Sequence, residues 1–198
     1  MRIRHFLQAA LFVGALTFAG SAFAEDPQEM IQREQTKVVQ LLHRAASENR
    51  DKQVNGILDA MVDFDLLTQR CFGAHWDELT EEDKTEMRDL LRQLVEKSWR
   101  RNLIKTLDYN VDYKGAEAGE NDGEQLVRTE AKSKTNSREP PVRVNYVIVD
   151  SSGWRVVDII TEGSSLTTNY GRQIHKMMTT DGERAPYVKR RLREKIAA

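Results

Sequence analysis

Cysteine is almost missing from this chain of 198 residues: Cys71 stands alone, so no intramolecular disulfide can form. The fold must therefore rest on its own core, even in an oxidising compartment. Charge of one sign is missing as well. Lys and Arg number 30 against 31 Asp and Glu, which leaves no basic footprint for a nucleic-acid partner. No apolar run after residue 24 is long enough to span a bilayer. Metal chemistry has little to work with, because His43, His75 and His175 are scattered and none has a His or Cys at ligand spacing. A nucleophile elbow is absent too: Gly163-Ser164-Ser165-Leu166-Thr167 lacks the second glycine of that pattern. No internal repeat or low-complexity segment is visible.

The first 24 residues read as a secretory leader. Arg2, Arg4 and His5 supply a positive start, Phe6 to Phe18 an apolar stretch, and Ala22-Phe23-Ala24 a small-x-small cleavage site. Residues 25–198 then form one expected domain, soluble and exported, with 28 basic against 31 acidic side chains once Arg2 and Arg4 are gone.

Helical periodicity fills the first half. Apolar residues recur at spacings of three and four over 26–49 and 53–62. Asp63 or Asp65 can cap a short helix that holds Leu66, Leu67 and Cys71 and closes at Gly73. Thr80 caps a longer one over 81–104, with Glu81, Glu82 and Asp83 favouring its dipole. From Leu107 the period becomes two, predicting strands over 107–113, 125–135, 142–149 and 154–161. The strand at 125–135 is the most polar and reads as an edge, and 114–124 reads as a loop. Ser164 or Ser165 caps a helix carrying Leu166, Tyr170 and Ile174, Asp181-Gly182 breaks it, and Pro186 opens a basic last helix. The expected architecture is α+β: a four-stranded antiparallel curved sheet against a helical layer.

The stretch from Trp154 onward, W-R-V-V-D then E-G-x-S-L-x-x-N-Y and a Gln, resembles the signature of the MlaC or toluene-tolerance family. The matching positions are Trp154, Val156, Asp158, Glu162, Gly163, Ser165, Leu166, Asn169, Tyr170 and Gln173. Asp63-Phe64-Asp65, Phe72-Gly73-Ala74-His75-Trp76 and Leu79-Thr80-Glu81-Glu82-Asp83 extend the likeness. Four positions depart from it: Gly171 replaces a usual Arg, Ile174 a Phe, Phe72 a Leu and Trp99 a Tyr.

The resemblance implies a periplasmic phospholipid carrier with no cofactor, no metal and no catalytic group. Its partners are expected to be an outer-membrane lipoprotein complex and an inner-membrane ABC transporter complex, and the protein a monomer. Acyl tails would lie in an apolar pocket between sheet and helices. The expected lining is Leu91, Leu94, Trp99 and Leu103 from the long helix, and Tyr109, Val111, Tyr113, Val144, Tyr146, Ile148, Val156 and Ile160 from the strands. Leu166, Tyr170 and Ile174 complete it. On composition alone, ordinary core is the better reading of any one of these residues. Two alternatives stay open: a carrier of another, hopanoid-like lipid, and a small-molecule enzyme. The second would use Asp158, expected on the face of Trp154, Val156 and Ile160, as general base.

Overall fold

The computed structural model describes residues 25–180 and 184–198, with the backbone alone for 101–106. The expected leader and the Asp181-Gly182 break lie outside the described residues. Helix α1 (Pro27–Leu42) starts where Asp26 Oδ1 accepts from Gln28 N at 2.7 Å and proline occupies the first turn. It stops well short of residue 49, because Ser47 caps a separate helix, α2 (Glu48–Met61), by accepting from Arg50 N. Asp63 caps α3 (Phe64–Phe72), which ends at Gly73 with φ +52 and runs into a 3-10 turn over Gly73–Glu78. Thr80 accepts from Asp83 N and donates back to its carboxylate, opening α4 (Glu81–Thr106). After the strands come α5 (Leu166–Met178), capped by Ser165, and α6 (Arg184–Ala197).

The sheet has five strands, not four, all antiparallel and in sequence order: β1 (Tyr109–Ala118), β2 (Glu124–Ser133), β3 (Val142–Asp150), β4 (Trp154–Thr161) and β5 (Ser164–Ser165). The extra strand arises at Glu162 and Gly163, whose φ values of +49 and +76 make a two-residue hairpin turn. That turn lays Ser164 and Ser165 back on Thr161 and Ile160 before the helix begins. The polar strand β2 is interior, between β1 and β3. Its charges are matched across the sheet rather than left at an edge: Lys132 with Asp112 at 2.6 Å, Glu130 with Lys114 at 3.1 Å and Arg128 with Glu117 at 3.3 Å. Strand β1 also runs through the expected loop to Ala118, with a bulge between Tyr113 and Ala116 where Gly115 takes φ +101. Gln28 of α1 accepts from Gly115 N at 2.8 Å and fixes the helix to that bulge.

A second bulge sets the face of β4. Ile148 pairs with Val156 but Val147 pairs with Asp158, so Val157 is the extra residue. Asp63 N donates to Val156 O at 2.9 Å at that point, joining the α2–α3 junction to the strand. As a result Trp154, Val156 and Ile159 share a face with Tyr146 and Ile148, while Asp158 and Ile160 leave it. The expected common face of Trp154, Val156, Asp158 and Ile160 is therefore corrected: simple alternation cannot foresee an inserted residue. The helices pack on the side of Val127, Ile148 and Val156, all 0% exposed, together with Leu91 and Ile174.

Candidate functional site

Coverage of the apolar sheet face is uneven, and the expected lining residues divide accordingly. Leu91, Leu94, Tyr146, Ile148, Val156 and Ile174 lie in the main core at 8% exposure or less. Trp99, Tyr109, Val111, Tyr113, Val144, Leu166 and Tyr170 are half-buried. Ile160 is half-buried too, but on the other face. The side chain of Leu103 lies outside the described residues. Register gathers part of the second group at one place. Tyr113 opposes Thr129, Thr129 opposes Val144, and Tyr109 and Val111 follow Tyr113 on the same face toward the start of β1. Trp99 of α4 packs against both the main core and a smaller one made by Val38, Leu41 and Val54 of α1 and α2. The candidate site is this half-covered apolar strip, with α1 and α4 over it.

One polar chain interrupts the strip. Tyr113 Oη donates to Gln35 Oε1 at 2.5 Å, and Gln35 Nε2 donates to Tyr146 Oη at 2.5 Å. Burial pushes the Tyr113 phenol up to about 12. Burial, with Tyr113 beside it, raises Tyr146 further, and the hydrogen bond from Gln35 only partly opposes this. Both hydroxyls remain protonated, as donors need to be. Open grooves occur elsewhere: one of about 480 Å³ runs between α1 and α2 past Glu34, Lys37, Arg44 and Gln53, and a smaller one follows the outer side of α1. Leu41, Ile57 and Ala60 line the first as well, and neither groove includes a residue of the strip.

The remaining candidate groups have structural partners. Asp158, at 6% exposure, accepts from Ile159 N at 2.8 Å, Ser165 Oγ at 2.6 Å and Thr167 N at 3.0 Å, which ties β4 to the first turn of α5. Burial, helped by the nearby Asp158 charge, pushes the Cys71 thiol up to about 12, so it is not a thiolate nucleophile. Basic side chains of α6 are engaged by α4 and α5: Lys189 meets Asp83 and Glu86, Arg193 meets Glu86, and Lys195 meets Gln173. Periodicity missed one cluster. His75 Nε2 lies 2.9 Å from His175 Nδ1, with Glu78 3.0 Å from the other ring nitrogen of His75. A separation of 100 residues gave no sequence signal for it. Among the described residues no three His, Cys, Asp or Glu side chains are grouped to hold a metal ion, and no helix is long and apolar enough to cross a membrane.

Comparison with known proteins bears on this arrangement. No curated protein matches the chain. Among solved structures it is similar to the phospholipid-binding protein from Ralstonia solanacearum, solved in complex with a phospholipid. The TM-score is 0.73 at 22% identity, covering 87% of this chain and 98% of that one. At that identity the likeness is one of fold. The family model described as MlaC protein matches residues 32–188, most of the chain. This protein therefore belongs to the MlaC family.

Proposed function

We propose that this protein is a periplasmic phospholipid carrier that shields acyl tails between its sheet and the helices α1 and α4. The observation that carries the reading is the half-covered apolar strip of Tyr109, Val111, Tyr113 and Val144, beside the packed part of the same face at Val127, Tyr146, Ile148 and Val156. The fold shared with a protein solved holding a phospholipid supports it. Exposing one methylene to water costs about 0.8 kcal/mol, so an acyl chain of about 16 carbons costs roughly 12 kcal/mol. A carrier that keeps the tail dry removes most of that barrier and needs no catalytic group. Residues 1–24 are a cleaved leader, the mature domain acts as a monomer, and it exchanges lipid with an outer-membrane lipoprotein complex and an inner-membrane ABC transporter complex. Tails enter by separation of α1 and the last turns of α4 from β1, where the apolar face is least covered.

Native mass spectrometry of the mature protein, with solvent extraction alongside, tests this reading. The expected result is a protein mass raised by one phospholipid, released on denaturation. Recovery of no lipid, with none acquired from phospholipid vesicles, would overturn it.

A further inference from the structure

The polar chain between α1 and the sheet has one hydrogen too many. Tyr113 spends its only O–H on Gln35 Oε1, and Gln35 spends one N–H on Tyr146 Oη. Tyr146 therefore accepts, and its own O–H meets no acceptor among the described residues. The residue is 8% exposed, so water is not a ready substitute. Buried phenols ordinarily find a partner for that hydrogen, and leaving one without it is costly. Burial holds the phenol protonated, so the donor persists at any physiological pH. It stands between Val144 and Ile148 on the apolar face, opposite Val127, and the nearby Thr129 hydroxyl is spent on Val144 O.

We propose that Tyr146, oriented by Gln35, donates a hydrogen bond to an acyl ester carbonyl of the bound lipid. The proposal rests on the carrier reading and adds a chemical criterion to it. An ester offers a carbonyl oxygen at the head of each tail, whereas an ether-linked chain of the same length offers no carbonyl there. A bound ether lipid leaves the phenol hydrogen unpaired in a dry site; an ester lipid satisfies it. Selection is then for the linkage and not for the headgroup, which stays in water.

The test offers the mature protein vesicles containing equal amounts of a diacyl phospholipid and its diether analogue, matched in headgroup and chain length. Native mass spectrometry reads the ratio bound. Wild-type protein is expected to favour the diester by about tenfold, the scale of one buried hydrogen bond. Tyr146→Phe keeps the ring and removes the donor, so the ratio should fall toward one. Tyr113→Phe frees Gln35 Oε1 to accept the Tyr146 hydrogen, so the ratio should fall toward one in this variant too. Equal binding of both lipids by the wild type, or an unchanged ratio in Tyr146→Phe, would overturn the proposal and leave the carrier reading standing. Equal losses of both lipids in Tyr146→Phe would assign the donor to a phosphate oxygen and also overturn it. Uptake of neither lipid by the wild type would sink both readings.

Discussion

A carboxylate held at 6% exposure between a strand and a helix has to be matched by donors, and Asp158 is matched by three. Two are backbone N–H groups and one of those lies in the first turn of α5, where the helix dipole also favours negative charge. The sequence already marks Asp158 as a polar residue among apolar neighbours, a pattern compatible with a general base or a structural anchor. Its donors make it an anchor, and neither described groove includes it. Asp158→Ala strands all three donors and is expected to cost about 2–3 kcal/mol in urea denaturation. Asp158→Asn keeps one oxygen for the two N–H groups and lets Ser165 accept instead of donate, so its cost should be about 1 kcal/mol. Neither variant should change lipid occupancy. A loss of bound lipid from a fully folded Asp158→Asn protein would return this residue to the functional site.

Elements were legible in the sequence wherever a cap or a period marked them. Asp63, Thr80 and Ser165 all cap the helices that follow them, and the four longer strands fall where the period changes to two. What could not be read depends on contacts between distant parts of the chain. The inserted Val157 moves Asp158 and Ile160 off the helix-side face, and Gly115 carries β1 through what composition marks as a loop. The candidate site was legible as a list of apolar residues. Which of them are sealed and which half-covered depends on how far α1 and α4 extend over the sheet, and no local pattern encodes that. Gly115 is where this long-range order can be tested. A Cβ there would meet no atom within 4 Å, so the cost of Gly115→Ala is that of the φ +101 backbone alone. That cost is expected to be about 1–3 kcal/mol. Because the same residue donates to Gln28, hydrogen exchange should also rise in the first turns of α1, and an unchanged α1 would separate the bulge from the helix.

For the molecule as a whole, stability should form a plateau in pH with a different set of groups at each end. On the acid side, Lys189 lowers Asp83 below the ordinary carboxylate range, aided by Thr80 and opposed by burial. Burial raises Glu34 and Glu124, but ion pairs and hydrogen bonds outweigh it: Lys37 and Arg33 lower the first, Asn121 and Arg70 the second. A folded-state value below the unfolded one gives stability that is present above about pH 4 and lost as pH falls further. On the alkaline side the sign reverses. Tyr113 and Cys71 are pushed up to about 12, so their contribution is complete below the unfolded values and lost as pH rises through that range. Unfolding midpoints in urea should therefore stay level between about pH 5 and 8 and decline outside those limits, from about pH 4 downward and from about pH 9 upward. Lys189→Met removes the partner shared by Asp83 and Glu86, so it should lower the plateau and flatten the acid decline. Cys71→Ala should flatten the alkaline decline without touching the acid one. An acid decline as steep in Lys189→Met as in the wild type would mean that the α4–α6 contact contributes nothing to it, and would leave the limit to Glu34 and Glu124.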